Sequence, residues 1–366
     1  MTRGPGYLDS RSGRQNDKVH LPRIGPARYR VATLAALVFL YVIVVTGALV
    51  RLTNSGLGCD DWPRCNNKTF VDVSSKHAAI EQINRLFTGV VAVSVIVAVL
   101  GSLVRIPRRR DLTWLSLGLV AGVIGQAVLG GLVVLSHLNP VLVQGHFLLS
   151  MVLMANALIL HRRAACDDDP AARDGDNRRN VGARPNIRAR ARLAARPGNE
   201  VADGAGLGLS QGGRRRERRP PLVVAIGALG TLAVITGTVV SGAGPHSGSV
   251  DGVAVDRLSI SPLSAVRIHS AAVLTTLALM LILMRRVAGR DRALMTALEL
   301  LVVAGVAQGA LGYIQYFSGV PVVLVALHVA GATAVWLALV NLMLVTGSES
   351  TPAGGRTPAI AHPNAA

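Results

Sequence analysis

The stretch VPVVLVALHVAGATAVWLALVNLML, residues 320–344, is apolar over a membrane-spanning length and carries one histidine, His328. A bilayer core of ~30 Å takes about 20 apolar residues of helix, so the run reads as a transmembrane segment. A polar ring inside such a segment calls for a partner or a function. Twenty residues before His328 lies Gln308-Gly-Ala-Leu-Gly312, and the same spacing separates Gln126-Ala-Val-Leu-Gly130 from His146. A proline opens the later run in both copies, Pro140 before VLVQGHFLL and Pro321 before VVLVALHVA. Each histidine is therefore expected about two turns into its helix, and the chain repeats itself.

Outward from this stretch, the composition fits a membrane protein: of 366 residues, 51% are hydrophobic and 16% charged. Eight apolar runs have spanning length, approximately 31–51, 80–104, 112–135, 141–160, 221–241, 263–284, 293–317 and 320–346. The first is too long for the apolar core of a cleaved leader and has no small-residue cleavage site after it, so it counts as a span. The expected fold is an all-α polytopic membrane protein, eight transmembrane helices forming two pseudo-symmetric four-helix bundles. Four helices per copy give both halves the same orientation, a parallel repeat about an axis along the membrane normal.

A net charge of +18 would suit nucleic acid if it lay on one face, but the basic residues fall in alternate loops. Arg11, Arg14, Lys18, Arg23, Arg28 and Arg30 precede the first span, RIPRRR (105–110) follows the second, and RRVAGRDR (285–292) follows the sixth. The positive-inside rule makes these loops cytoplasmic, which excludes nucleic acid as the partner and puts both termini inside a multi-pass cell-membrane protein. The chain then divides into a basic arm (1–30), a first bundle (31–160), an Arg-rich linker (161–219), a second bundle (220–346) and a tail (347–366). The linker holds fifteen arginines against eight acids with little apolar periodicity, the composition of a disordered connection.

On the external side, TGALVRLTNSGLGCDDWPRCNN (46–67) breaks the first helix and brings Cys59 and Cys65 close in sequence. Two cysteines on an oxidising face without further ligands point to a disulfide rather than a metal site, either as a loop staple or as a redox pair. Cys166, in the linker, has the character of a free thiol. In HAAIEQINRLFTG (77–89), Glu81, Asn84 and Arg85 share a helix face, which reads either as the lining of a cavity or as a local Glu81–Arg85 ion pair. Aligning Ile83-Asn84 with Ile268-His269 of the sixth span makes His269 the counterpart of Asn84. Thr46-Gly47 recurs as Thr236-Gly237. His269 and His328, on two even-numbered helices of one bundle, suit bis-imidazole ligation of a heme iron. Gly309, Gly312, Gly331 and Ala332 are small enough to leave room for a flat macrocycle. Arg51, Arg85 and Arg267 either pair with propionates or snorkel to the interface.

Together, TGALVRLTNSGLGCDDWPRCNN, EQINR, the Gln-x-x-Leu-Gly repeats and the four helix-start positions resemble the heme A synthase family of the CtaA type, across all eight spans. The resemblance implies an enzyme that oxidises the C8 methyl of heme O to the formyl of heme A by successive hydroxylations, for cytochrome oxidase biogenesis. It implies heme b held by His269 and His328 in the second bundle, and substrate heme O held through His146 in the first. Glu81 matches the essential glutamate of the family's Glu-x-x-His-Arg motif and is the catalytic candidate, to position the methyl group, relay protons or stabilise charge; Arg85 matches its arginine, and Cys59 and Cys65 the paired outer-loop cysteines. Asn84 departs from that motif: an amide is a poor iron ligand, so the substrate would be held through His146 alone or with help from His77.

Attack on an unactivated methyl needs an oxidant that side chains do not supply and heme iron with oxygen does. The resemblance names a heme O synthase as supplier; the electron donor and the oligomeric state, homo-oligomer included, stay open. A transmembrane cytochrome b moving electrons only is the alternative, and it gives no reason for a second, unequal site. A transporter would break its helices near the midplane, whereas these polar residues gather near one face.

Overall fold

Every spanning run folds as a helix because, in a bilayer, only intrahelical hydrogen bonds satisfy the backbone. A computed structural model describes residues 23–165, 220–246, 248 and 255–346. Its eight helices are α1 (Pro26–Leu52), α2 (Lys76–Val104), α3 (Arg110–Leu135), α4 (Pro140–Ala165), α5 (Pro221–Ala243), α6 (Pro262–Val287), α7 (Arg292–Phe317) and α8 (Val322–Val345). All eight are long and apolar enough to cross a membrane. Most of the basic arm, the linker from residue 166 on, including Cys166, and the tail lie outside the described residues.

The helices overrun the apolar runs where their caps reach further. The Ser75 side chain accepts from the Ala78 N–H at 3.1 Å, so α2 starts four residues before its apolar run. Similarly, α4 continues through Arg162 and Arg163 to Ala165, into the stretch read as linker. Cations at a helix C-terminus are favoured by the dipole.

Both bundles are built alike. In the first, α1 packs on α2 and α4, and α3 on α2 and α4; α5 to α8 repeat the pattern. Where the bundles meet, α4 contacts α8, α1 reaches α8 and α5 reaches α4, a set of contacts consistent with a pseudo-two-fold relation. The turns between α3 and α4 and between α7 and α8 match bond for bond. Leu138 N–H donates to Val133 O at 2.9 Å and Val320 N–H to Gln315 O at 2.8 Å, with Leu138 and Val320 at φ 63° and 61°. Polar contacts lace the halves together. Tyr41 Oη donates to Ala330 O at 2.9 Å, Trp336 Nε1 to Met151 O at 2.8 Å, and Arg51 Nε to His246 O at 3.0 Å. Large apolar side chains such as Trp114, Val303 and Phe317 stay exposed on the outer surface, as lipid contact requires.

The loop between α1 and α2 is stapled by the Cys59–Cys65 disulfide, with Cys59 fully buried and Cys65 nearly so. Closing so short a loop removes about 2 kcal/mol of unfolded-chain entropy by the loop-closure relation. The Cys59→Ser/Cys65→Ser protein is therefore expected to melt earlier in detergent. Non-reducing peptide mapping of the unaltered protein should recover the two cysteines in one linked fragment. Recovery of both as alkylated thiols would overturn this.

Candidate functional site

In the second bundle, four repeated small or polar residues place two imidazoles. Gln308 of α7 donates from Nε2 to the His328 carbonyl at 2.6 Å, fixing α7 against α8 at the level of the histidine. One turn on, Gly312 lies against the ring itself: a Cβ there would stand 3.1 Å from His328 Cε1. His328 Nδ1 is buried with no hydrogen-bond partner among the described residues.

His269 of α6 is held differently. Its Nδ1 lies 3.0 Å from Ala233 O and 3.2 Å from Thr236 Oγ1 on α5. A carbonyl only accepts, so Nδ1 carries the proton and the lone pair is left on Nε2, the tautomer that binds a metal. Gly237 backs this ring, with a Cβ position 3.2 Å from His269 Cε1.

Among the described residues no group of three or more His, Cys, Asp or Glu would hold a bare metal ion. Two imidazoles suffice when a macrocycle brings the remaining four donors, so these two residues could hold a bis-histidine heme. A Gly312→Val side chain would press on the ring from 3.1 Å, whereas Gly309, in the same helix, has nothing within 4 Å of its Cβ position. We expect Gly312→Val to lower heme b content severalfold, read from reduced-minus-oxidised spectra at equal protein.

The first bundle reproduces half of this arrangement. Gln126 Nε2 donates to the His146 carbonyl at 3.1 Å and to Ser150 Oγ at 2.7 Å. Gly130 backs the ring, its Cβ position 3.2 Å from His146 Cε1, and His146 Nδ1 is again buried and unpartnered among the described residues. Opposite, Thr46 Oγ1 lies 2.9 Å from Asn84 Oδ1, the contact that Thr236 makes with His269. The equivalence of Asn84 with His269 thus holds at the level of contacts. His77, the other histidine considered there, has its Nδ1 3.0 Å from Ser55 Oγ in the outer loop.

Glu81 and Arg85 pair with each other and with the loop above them, while Asn84 meets Thr46. Glu81 is 4% exposed; its Oε2 accepts the Cys59 N–H at 2.9 Å and its Oε1 accepts Arg85 Nη2 at 2.6 Å. The guanidinium also donates to Asp61 O and Arg64 O. This is the local ion pair, enlarged into a clamp on the disulfide loop. Arg51 is committed to Ser241 and the His246 carbonyl. Arg267 lies in an outer-surface groove of about 380 Å³ with Tyr313, Tyr316 and Phe317. Sequence reasoning named the repeated Gln and Thr residues without assigning them work; their recurrence was the signal. The Arg51 bridge between the halves had no such signal, since Ser241 and His246 are 190 and 195 residues away.

Against known proteins, the family model COX15-CtaA, described as cytochrome oxidase assembly protein, matches residues 30–78 and 69–195. A heme A synthase of Lysinibacillus sphaericus is 33% identical over 128 residues, 35% of this chain and 42% of that protein. A heme A synthase of Listeria welshimeri is 31% identical over 134 residues, 36% and 44% of the two chains, and one of Bacillus pumilus is 31% identical over 133 residues, 36% and 43%. The similarity spans less than half the length of these curated relatives. The matched residues, 30–195, are less than half of the chain; they take in nearly all of the first four helices with the TGALVRLTNSGLGCDDWPRCNN and EQINR motifs, so it is the first bundle that is similar to the COX15-CtaA family.

Proposed function

We propose that this protein is a heme A synthase, which oxidises the C8 methyl of heme O to the formyl of heme A. The observation that carries the proposal is the pair of unequal sites in one repeat: two imidazoles in the second bundle, and one imidazole and one amide at the equivalent positions of the first. A protein that only relayed electrons has no use for that inequality. The relatives named heme A synthase add support.

Heme b at His269 and His328 would supply one-electron transfer. Around it the chain provides rigidity: the Ala233 carbonyl fixes the His269 ring, and Gln308 fixes the height of His328. The substrate heme would bind through His146, set by Gln126. Two hydroxylations of the methyl followed by loss of water give the aldehyde, with oxygen and an external electron donor as co-reactants. The Glu81–Arg85 clamp holds the disulfide loop above α2, closing the first bundle on the side where these sites lie. The arginine bias supports a topology with this side outside and the termini in the cytoplasm. Heme O, being apolar, would arrive from its synthase within the bilayer.

The test is extraction. Purified protein incubated with heme O, reductant and oxygen should yield heme A in the acid-acetone extract. A cytochrome b that carries electrons only would return heme O unchanged, and that result would overturn the proposal.

A further inference from the structure

We infer that the first-half site holds its heme through His146 alone and keeps the opposite axial position open to a small exogenous ligand. Asn84 stands beside that position as a hydrogen-bond donor and not as an iron ligand. This rests on the proposal that the first bundle receives a heme, and it concerns how that heme is held.

The repeat supplies the geometry. His146 and His328 are placed by the same two contacts, a glutamine on the backbone carbonyl and a glycine behind the ring. Thr46 stands to Asn84 as Thr236 stands to His269. What faces His328 in the second bundle therefore has its counterpart facing His146 in the first, and that counterpart is an amide.

Two observations keep this amide off the iron. Thr46 Oγ1 takes up Asn84 Oδ1 at 2.9 Å, and Oδ1 is the amide atom with lone pairs to offer a metal. The remaining Nδ2 only donates, and it has no hydrogen-bond partner among the described residues. Asn84 is also the shorter side chain. Gly237 packs on the His269 ring with a Cβ position 3.2 Å away, while Gly47, its counterpart, has nothing within 4 Å. The volume that an imidazole fills in the second bundle is left open in the first.

Among the described residues, the polar side chains nearest to Asn84 in sequence are engaged elsewhere. His77 is held at Ser55, Glu81 by the Cys59 N–H and Arg85, and Arg85 by Glu81 and two carbonyls. An open axial position beside an N–H donor suits a ligand of one or two heavy atoms with a lone pair, the class to which water, cyanide and carbon monoxide belong.

The experiment uses full-length protein loaded with heme O, with carbon monoxide on the reduced form and cyanide on the oxidised form as probes. In the unaltered protein, one heme is expected to be high-spin and to bind both probes, while the His269/His328 heme stays low-spin and binds neither. His146→Ala should remove the probe-binding heme. Asn84→Ala should keep it, since no iron bond is lost. Asn84→His should convert it to a six-coordinate low-spin form that no longer takes up carbon monoxide. In every variant an unchanged heme b spectrum reports an intact fold.

Overturning results are a first-half heme already low-spin and closed to carbon monoxide, an Asn84→Ala protein whose spin state changes, an Asn84→His protein that still binds carbon monoxide, or no heme taken up beyond heme b. Pigment extraction from the same samples separates this inference from the synthase proposal. Heme A formed without a probe-binding heme sinks the inference alone. The expected spectra without heme A sink the synthase proposal alone.

Discussion

His328→Ala is expected to abolish the low-spin heme b spectrum, and His269→Ala to do the same, while His146→Ala leaves that spectrum in place. Each second-bundle imidazole would supply one of two axial bonds, so removing either leaves iron one strong ligand short. Loss of a partner to a metal ligand alone commonly costs about 10–100-fold in affinity, and loss of the ligand itself should cost at least as much. The rest of the site stays in place: in His328→Ala the Gln308 amide still meets the backbone carbonyl at residue 328, because that contact does not use the ring. The vacated space behind Gly312 should then admit free imidazole. Adding imidazole to the His328→Ala protein should restore part of the low-spin signal, which mere misfolding would not allow. Wild-type reduced spectra from both alanine variants would show that the heme is held elsewhere.

Much of this arrangement was legible before any coordinates. Membrane length fixed the eight helices, because apolar runs of that size have no other fold in a bilayer. The repeat of Gln, Gly, Pro and His at one spacing pointed to the two histidine sites, and the contacts at Gln126 and Gln308 give that spacing its physical cause.

What stayed hidden depends on pairs that no periodicity encodes. Helical spacing correctly put Glu81, Asn84 and Arg85 on one face, but it did not say what covers that face. The disulfide loop turns back over it, so two of the three side chains meet backbone rather than cavity. Likewise Val320, a β-branched residue, takes a left-handed φ of 61° that its side chain disfavours. Its carbonyl lies 2.9 Å from His246 Nε2, a contact between loops far apart in sequence.

The second large effect is expected at that covered face. Glu81→Ala should lower stability by about 2–3 kcal/mol, since removing one partner of a mostly buried, hydrogen-bonded ion pair strands the other, and Arg85 keeps some solvent access to soften the loss. Side-chain exposures of 6% for Glu81 and 20% for Arg85 place the pair between the buried and surface limits. The Cys59 N–H would lose its acceptor as well, so the loop over α2 should open to protease while the disulfide remains. Arg85→Ala removes the same clamp from its other side, together with the bonds to Asp61 O and Arg64 O. If Glu81 works by fastening this loop, the two single variants and the double variant should lose stability and heme A production to similar extents. Two groups that act as one unit behave this way in a double-mutant cycle. Heme b, proposed for the other bundle, should be unaffected in all three. The alternative is a carboxylate that itself contacts the substrate, and it has a different signature: Arg85→Ala would keep producing heme A while Glu81→Ala would not. That split would return Glu81 to the chemistry and reduce the clamp to its resting position.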